Sequence, residues 1–426
     1  MEVVHIWGGR QLSGNVTVGG AKNACLPILA ACLLTQDKCV IHNVPRLTDI
    51  DVMCDILRAL GASVQYVDHS TLEVQALTVG HTPPSELVRK MRGSVCLMGA
   101  LLARKGKVFT AAPGGCSIGK RPIDLHLKGF TALGYSCVQS TTGELSIDGS
   151  AIHPATINLL GEHGTTMTGT MNVIMAALRA HGETVIITHA SIEPEVVDFC
   201  NFLVSMGANI EGIGTPTVTV HGTHDFHGSE YTIIGDRIEA GTFACAALIT
   251  RGDITIYGID PDIFDQFANV LKKLNAQVSI NEDRSLRIKY SEHLRNLSIT
   301  TASYPGFATD LQAQLGALLT QISGKSVIKE TIYPDRFFYA RELNKMGADI
   351  KMGIGNVVID GPKQLLGATV DATDLRASAA LYLAGLCAKG KTTVTHVFHI
   401  DRGYEQFERK LSELGAEIIR TDISDQ

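Results

Sequence analysis

The sequence lacks the features that would place it in a membrane or on nucleic acid. No uncharged apolar run reaches the roughly 18 residues that a membrane-spanning helix requires. No run of basic residues is present either, and the formal net charge of −6 is spread thinly along the 426 residues. Because duplex nucleic acid needs a basic surface, we expect neither a membrane nor nucleic acid as a partner.

The sequence also has little that would mark a secreted or disulfide-linked protein. Its first ten residues, MEVVHIWGGR, lack the basic segment and following apolar stretch of a signal peptide. Its ten cysteines show no CxxC spacing, and many lie in apolar contexts such as AACLL and AGLCAKG, which are typical of reduced core thiols. We therefore expect a soluble cytoplasmic protein without structural disulfides.

What the sequence does contain is an internal repeat. Six segments each combine a helical apolar pattern, a Gly or Asn at its end, and a strand-like run: ILRALGASVQ, FTALGYSCVQ, FLVSMGANIE, VLKKLNAQVS, ELNKMGADIK and KLSELGAEII. A Gly directly after a helix supplies the left-handed C-cap. The residues at this position are Gly61, Gly134, Gly207, Asn275, Gly347 and Gly415, spaced 68 to 73 residues apart.

A second series of segments alternates with the first. Each reads as a helix rich in Ala and Leu, a polar or Gly break, and a β-branched strand, as in MGALLARKGKVFTAAPGG and CAALITRGDITIYGIDPD. Ala-rich helices favour close packing on several sides, and a period of about 70 residues exceeds that of common solenoid repeats. Six copies in 426 residues indicate two α/β domains of three units each, with the chain crossing between them near residues 227–237.

Residues suited to chemistry recur at equivalent places in the units. One place is the start of each Ala-rich helix, as in GGAKNACLP, GFATDLQAQ and DATDLRASAA; the other is the loop after the next strand, as in PGGCSIGKRP, YPDRFF and HIDRGYE. Helix N-termini favour anions, and cations stand at these places: Lys22, Arg92, Arg121, Arg237, Arg336, Arg376 and Arg402. Together they indicate a site for a polyanionic ligand. Any one of them could instead form a structural ion pair with Asp236, Asp374 or Asp401.

Three single residues stand out within these segments. Lys22 follows two glycines that let backbone approach closely, so we favour a phosphate ligand over a solvated helix cap. Asp310 is either an anion at a helix N-terminus, the simpler interpretation on local grounds, or a general base. Cys116 lies in a glycine-rich loop with two cations, which is an unusual setting for a core thiol.

Longer motifs resemble those of a known enzyme family. GAKNACLP, MRGSVCLMGALLAR, PGGCSIGKRPIDLHLKG, EPEVVDFCNFLVSMGA, DRIEAGTF, PGFATDLQAQ, ATDLRASAALYLAGL and HIDRGYE are similar, in this order, to motifs of the enolpyruvyl transferases that act on UDP-N-acetylglucosamine. The resemblance implies a two-domain inside-out α/β barrel of six βαβαββ repeats, three per domain. The implied domains are residues 22–232, which carry a lid loop at 113–122, and residues 1–21 plus 233–426.

The resemblance also implies the reaction. The enolpyruvyl group of phosphoenolpyruvate would pass to the 3-hydroxyl of UDP-N-acetylglucosamine with release of phosphate, the first committed step of peptidoglycan precursor synthesis. Members of the family use no metal and no organic cofactor, and fosfomycin inhibits them through the loop cysteine. We expect the protein to be a monomer.

Matched residue by residue, the resemblance implies roles for the site residues. Cys116 would be the loop cysteine that adds to phosphoenolpyruvate and assists proton transfer or product release, and Asp310 would be the base on the acceptor hydroxyl. The remaining matches are Lys22, Arg121 and Arg402 for the phosphate and carboxylate of phosphoenolpyruvate, Asn23 for the sugar, and Arg121, Pro122, Ile123, Asp124 and Leu125 for uridine and diphosphate. Arg92, Ile332, Arg336, Asp374 and Arg376 match further active-site positions.

The sequence departs from the usual family pattern at several positions, most of them around the acceptor. These positions are Ala100, Lys105, His189, Gly235, Pro334, Asp335 and the segment 161–172, which contacts the diphosphate in relatives. Two alternatives therefore stay open: an enolpyruvyl transferase that uses another uridine nucleotide such as UMP, and a non-catalytic UDP-sugar-binding paralogue. Shikimate-3-phosphate is a less favoured acceptor, because CSIGKRPIDLH matches the uridine-binding pattern.

Overall fold

The structure, a computed structural model, describes residues 2–115, 119, 122–149, 152–223 and 225–422. The strands are β1 (Glu2–Trp7), β2 (Ser13–Thr17), β3 (Cys39–His42), β4 (Ser63–Tyr66), β5 (Leu72–Gln75), β6 (Lys107–Thr110), β7 (Ser136–Gln139), β8 (Leu145–Asp148), β9 (Thr156–Asn158), β10 (Leu160–Gly161), β11 (Gly164–Thr165), β12 (Thr184–Thr188), β13 (Asn209–Glu211), β14 (Thr217–His221), β15 (Glu230–Thr232), β16 (Asp253–Tyr257), β17 (Gln277–Ile280), β18 (Leu286–Lys289), β19 (Ser298–Thr300), β20 (Gly324–Lys329), β21 (Ile350–Gly353), β22 (Asn356–Gly361), β23 (Thr369–Asp371), β24 (Lys391–Thr395) and β25 (Glu417–Asp422).

The helices alternate with these strands along the chain. The α-helices are α1 (Lys22–Ala31), α2 (Thr48–Ala59), α3 (Ser85–Val88), α4 (Leu97–Lys105), α5 (Asp124–Ala132), α6 (Met167–Ala177), α7 (Pro194–Ser205), α8 (Arg237–Ile249), α9 (Pro261–Lys273), α10 (Gln312–Leu319), α11 (Phe338–Lys345), α12 (Leu375–Cys387) and α13 (Phe407–Glu413). Short 3₁₀ helices span Cys32–Leu34, Arg92–Cys96, Thr309–Leu311 and Val397–Arg402.

The chain divides into two compact units. The N-unit comprises the described residues within 20–115 and 122–234, and the C-unit comprises residues 2–19, 119 and 235–422. Each unit has its own cluster of buried apolar side chains. None of the helices in the described ranges is both long and apolar enough to cross a membrane.

Three buried helices form the centre of each unit. They are α1, α4 and α6 in the N-unit and α8, α10 and α12 in the C-unit, and within each unit they pack against one another. All residues of α10, and all of α8 except Arg237, are buried. Small side chains allow this close approach: a Cβ at Gly99 of α4 would lie 2.4 Å from the Asn172 carbonyl oxygen of α6. The close packing predicted for the Ala-rich helices is confirmed.

Six sheets carry the strands of the repeats. Five have four strands each, in the orders β15-β3-β5-β4, β9-β12-β14-β13, β2-β16-β18-β17, β19-β20-β22-β21 and β23-β24-β1-β25. In each of these five, the first pair is parallel and the other two pairs are antiparallel. The sixth, β6-β8-β7, has three strands within the described residues. Three buried helices with three repeat sheets per unit give the predicted inside-out α/β architecture of six repeats.

The first two strands of the chain belong to sheets of the C-unit. β1 lies between β24 and β25, with Val4 opposite both Val394 and Arg420. In the other repeats that place is taken by a strand that follows its hairpin partner in sequence, as β5 follows β4. β25 is the last described strand, so β1 completes its sheet from the other end of the chain. β2 pairs in parallel with β16 in the neighbouring repeat.

The predicted helix ends are confirmed at all six positions. Helices α2, α5, α7, α9, α11 and α13 each end two residues before the predicted Gly or Asn. These residues have positive φ angles, from 66° at Asn275 to 105° at Gly415. A positive φ favours glycine, which explains why a Gly or Asn marks the end of each of these helices in the sequence.

Two predicted helix starts differ in detail. The segments KMRGSVCLM and GFATDLQAQ begin with 3₁₀ turns, Arg92–Cys96 and Thr309–Leu311, before α4 and α10 continue. In addition, residues 160–165 form a small antiparallel hairpin, β10–β11, that the sequence did not predict. Its two strands are two residues each, too short to show a period.

Candidate active site

The predicted site residues fall into two groups, one in each unit. Asp310, Ile332, Arg336, Asp374, Arg376 and Arg402 belong to the C-unit, and Lys22, Asn23, Arg92 and residues 122–125 belong to the N-unit. Cys116 and Arg121 lie outside the described residues.

Asp310 is the centre of the C-unit group. It stands in the 3₁₀ turn before α10, and its carboxylate accepts hydrogen bonds from Arg336 Nη1 at 2.7 Å and Arg376 Nη2 at 2.9 Å. Both arginine side chains are less than a tenth exposed, whereas that of Asp310 is 26% exposed. Two buried arginines therefore bind the Asp310 carboxylate, which remains partly exposed to solvent.

The two arginines set the charge state of Asp310. Burial raises the pKa of this carboxyl, but Arg376 and Arg336 outweigh burial and hold the pKa well below its usual range. Burial in turn would lower the pKa of Arg376 and of Arg336, and the Asp310 carboxylate raises both instead. At neutral pH Asp310 is ionised and both guanidinium groups are charged.

The structure places the acidic residues considered above as follows. Asp310 lies in the first turn of the 3₁₀ helix before α10, as an anion at a helix N-terminus would, and its side chain makes no cap hydrogen bond but binds two arginines. Asp374 and Asp236, considered above as ion-pair partners, accept hydrogen bonds from the main-chain N–H groups that open α12 and α8. Asp401 accepts from both terminal nitrogens of Arg420, at 2.7 and 2.6 Å.

A buried glutamate that the sequence did not single out organises the loop around Arg336. Glu330 accepts hydrogen bonds from the hydroxyls of Thr301 and Thr309, both at 2.8 Å. It also accepts from the main-chain N–H of Ile332 at 2.8 Å and of Tyr333 at 3.0 Å. Thr309 Oγ1 accepts from Arg336 Nη1 at 3.1 Å. One carboxylate thus fixes the loop after β20 against the turn that carries Asp310.

Behind Arg376 lies a buried polar cluster, also missed from the sequence. Arg376 Nη1 donates to Tyr404 Oη at 3.1 Å, and its guanidinium carbon is 5.6 Å from the centre of the Tyr404 ring. Tyr404 Oη lies 2.8 Å from Thr242 Oγ1 and accepts from Gln314 Nε2 at 3.1 Å. Polar residues inside apolar helices give no period of their own, so only the folded contacts identify this cluster.

Arg402 and Ile332 complete the described C-unit group. Arg402 is the last residue of the 3₁₀ helix Val397–Arg402 and is half-buried. Ile332, also half-buried, follows β20 in the loop that Glu330 holds.

Lys22 anchors the N-unit group. It is the first residue of α1, its side chain is 10% exposed, and its Nζ lies 3.2 Å from Asp49 Oδ2 in a buried ion pair. Burial and this ion pair argue against a solvated helix cap. Gly20 allows the close approach predicted there: a Cβ would lie 1.8 Å from the Asn43 carbonyl oxygen.

The other N-unit residues stand at the starts of helices. Asn23 follows Lys22 in α1, and Arg92 opens the 3₁₀ helix before α4; both are half-buried. Asp124 opens α5 and is exposed, as is Pro122, while Ile123 and Leu125 are half-buried. The Leu125 side chain lies so close to the β10–β11 hairpin that a Cβ at Gly161 would be 2.9 Å from its Cδ1.

His126 is a fully buried neighbour of this group. Its Nδ1 lies 3.0 Å from Asn172 Nδ2 and its Nε2 lies 3.3 Å from Thr168 Oγ1. Burial, together with a smaller effect of the charge of Arg92, lowers the pKa of His126 to about 3. The ring is therefore neutral, and because Asn172 Nδ2 donates to Nδ1, the proton is on Nε2. It ties the start of α5 to α6.

Comparison with known proteins shows the enzyme family to which the chain belongs. The family model of EPSP synthase (3-phosphoshikimate 1-carboxyvinyltransferase) matches residues 6–411. The crystal structure of the enolpyruvyl transferase NikO from Streptomyces tendae is similar with a TM-score of 0.88 and 27% identity over 99% of both chains. EPSP synthase from Acinetobacter baumannii shares the fold, with a TM-score of 0.76 and 17% identity over 99% of this chain and 100% of its own. The chain belongs to the EPSP synthase family of enolpyruvyl transferases.

Within this class, two curated relatives that cover the full chain share one name. UDP-N-acetylglucosamine 1-carboxyvinyltransferase from Methylacidiphilum infernorum is 47% identical over 99% of both chains. The protein of that name from Magnetococcus marinus is 44% identical, again over 99% of both. The family resemblance predicted from the sequence motifs is confirmed.

Proposed function

We propose that the protein transfers the enolpyruvyl group of phosphoenolpyruvate to the 3-hydroxyl of UDP-N-acetylglucosamine, releasing phosphate. This would be the first committed step of peptidoglycan precursor synthesis, which we place in the cytoplasm. The full-length identity of 44–47% to carboxyvinyltransferases of this name supports the assignment. The observation that carries it is the ionised, partly accessible carboxylate of Asp310 between Arg336 and Arg376.

The proposed reaction is an addition followed by an elimination. The acceptor oxygen bonds to C2 of phosphoenolpyruvate while its proton passes to Asp310 and another acid protonates C3. Elimination then breaks the bond between C2 and the phosphate oxygen, C3 loses a proton, and the vinyl group forms again. A carboxylate of such low pKa is a weak base, so we expect the proton to move as the C–O bond forms rather than before it.

The remaining roles follow the family match and are proposals. Lys22, Arg121 and Arg402 would hold the phosphate and carboxylate of phosphoenolpyruvate, since charge-assisted hydrogen bonds to such groups are short and strong. Cys116 would supply the acid at C3. Asn23 would bind the sugar, and residues 121–125 would bind uridine and diphosphate. Arg92, Ile332 and Asp374 would be further substrate-binding positions.

A second acceptor class is favoured by one observation. The segment from residue 129 to residue 178 contains no Lys or Arg, and it includes residues 161–172. A diphosphate is bound most strongly by cations, and this segment supplies no Lys or Arg for it. A nucleotide with a single phosphate, such as UMP, is therefore the alternative acceptor.

A phosphate-release assay separates the candidates. Phosphoenolpyruvate is supplied with UDP-N-acetylglucosamine, UMP or shikimate-3-phosphate, and without any acceptor. We expect steady phosphate release from phosphoenolpyruvate only in the sample that contains UDP-N-acetylglucosamine. Release with UMP alone would support the second acceptor class, and UDP-sugar binding without release from any acceptor would support a non-catalytic paralogue.

We expect the active species to be a monomer. Light scattering behind a sizing column gives its mass directly, and a single peak near the chain mass of 45.7 kDa is the expected result. A peak near twice that mass would contradict it.

A further inference from the structure

The polar cluster next to Arg376 forms a closed ring of hydrogen bonds that includes Asp310. Arg376 Nη2 donates to Asp310 Oδ2 at 2.9 Å, and Arg376 Nη1 donates to Tyr404 Oη at 3.1 Å. Gln314 Nε2 donates to Tyr404 Oη at 3.1 Å and to the main-chain oxygen of Asp310 at 2.9 Å. Asp310 is therefore held by its side chain and its main chain through one connected set of contacts.

The direction of each hydrogen bond follows from the donors. Thr242 Oγ1 donates to the main-chain oxygen of Ile238 at 2.8 Å, so it accepts the proton of Tyr404 Oη. Tyr404 then accepts from Arg376 and from Gln314, whose Nε2 also lies 3.2 Å from Thr242 Oγ1. A phenol that donates one hydrogen bond and accepts two uses its full hydrogen-bonding capacity, so these contacts restrain the orientation of Tyr404.

The ring joins all three central helices of the C-unit. Thr242 lies on α8, Gln314 on α10 and Arg376 on α12, and Tyr404 follows the 3₁₀ helix Val397–Arg402. Each of these four residues is at most 3% exposed. The ring is therefore built into the rigid centre of the unit.

Stability alone does not explain these polar residues. Gln314 Oε1 and Arg376 Nε are buried and have no hydrogen-bond partner among the residues that the structure describes. A buried polar atom without a partner costs more than an apolar side chain of the same shape. The cluster thus orients specific atoms at some cost in stability.

We propose that Tyr404 and Gln314 are positioning residues that hold Arg376 and the Asp310 carboxylate in the orientation needed for proton transfer. This inference rests on the proposed function, in which Asp310 accepts the acceptor proton. Neither residue is proposed to touch substrate. Displacing a catalytic group by about 1 Å can cost about 100-fold in rate, so the contribution of the ring should appear in kcat.

The kinetic test compares two tyrosine variants. Tyr404→Phe removes the hydroxyl from the ring, whereas Tyr382→Phe removes a buried hydroxyl that donates to Glu408 Oε1 at 2.7 Å. We expect Tyr404→Phe to lower kcat about 10- to 100-fold with KM for the nucleotide sugar changed less than about threefold. Tyr382→Phe should lose a similar amount of thermal stability and keep kcat. Gln314→Met, which keeps side-chain length and removes the donor, should behave like Tyr404→Phe.

A second readout does not depend on turnover. With ¹⁵N-labelled arginine, the Nη signals of Arg376, assigned by comparison with Arg376→Lys, should be separate in the native protein because both Nη atoms are hydrogen-bonded. In Tyr404→Phe they should broaden or merge, and in Tyr382→Phe they should stay separate. The Arg336 signals serve as an internal reference in the same spectra.

The outcomes separate the inference from the proposed function. If the native protein turns over no acceptor, the proposed function fails, and the arginine spectra still decide whether Tyr404 holds Arg376. If kcat of Tyr404→Phe stays within about twofold of that of Tyr382→Phe, Tyr404 is not a positioning residue. Unchanged Arg376 signals in Tyr404→Phe would overturn the inference as well.

Discussion

At the scale of single residues, Asp310 combines two properties that are usually opposed. In the proposed reaction it acts as a base, yet Arg336 and Arg376 hold its pKa well below the usual range. Since the lowered pKa is that of the folded state, the resulting stability is present above the unfolded pKa of about 3.9. It is lost only as the pH falls through the lower folded value. Asp310 should therefore not titrate in a profile of kcat/KM between about pH 5 and 9.

Asp310→Asn tests this residue directly. It keeps the size of the side chain and its acceptor oxygen but removes the base, so kcat should fall by about 10² to 10⁴ with a smaller change in KM. The matched control is Asp349→Asn, whose carboxylate pairs with Lys363 at 3.3 Å and is 39% exposed. A kcat for Asp310→Asn within tenfold of native, in a folded variant, would exclude Asp310 as the base.

The cysteines provide a second prediction at this scale. Fosfomycin should label Cys116 alone among the ten thiols, as peptide mapping by mass spectrometry can show. The other nine are free thiols, seven of them buried, and burial raises the pKa of Cys96 and of Cys200 to about 12. The strongest competitor is Cys39, because a hydrogen bond from Cys32 lowers its pKa, but its side chain is fully buried. Cys116→Asp should abolish labelling, and labelling at Cys39 would contradict the assignment.

At the scale of elements, the function depends on how helices begin. Asp374 caps α12 by accepting from the N–H groups of Arg376 and Ala377, at 2.9 and 3.1 Å. The cap therefore fixes the backbone of the arginine that pairs with Asp310. The starts of α6, α8 and α12 have a local sequence signal, because a capping Thr or Asp directly precedes each helix. The starts of α1, α4 and α10 have no such cap.

Two cap deletions separate stability from function at this scale. Asp374→Ala and Asp260→Ala each remove an N-cap, the second from α9, where Asp260 accepts from the N–H of Asp262 at 3.0 Å. Each should lower the free energy of unfolding by about 1 kcal/mol, measured by urea denaturation. Only Asp374→Ala should also lower kcat. Equal activity of the two variants would show that the α12 cap does not position Arg376.

At the scale of the whole molecule, local signals and long-range contacts differ in what the sequence reveals. The six helix ends were predictable because Gly or Asn with positive φ follows each helix directly. The partners of Asp310 were not, since Arg336 and Arg376 lie 26 and 66 residues away in sequence. Glu330, Gln314 and Tyr404 were missed for the same reason. The pairing of β1 with β24 also follows from the fold and has no local signal.

The chemical structure of the reaction product tests the proposed enolpyruvyl transfer directly. The protein is incubated with phosphoenolpyruvate and UDP-N-acetylglucosamine, released phosphate is counted, and the product is examined by ¹H–¹³C NMR. We expect one phosphate per product and a carboxyvinyl ether on the 3-oxygen of the sugar. An ether on the ribose, or no product from this acceptor while UMP is converted, would contradict it.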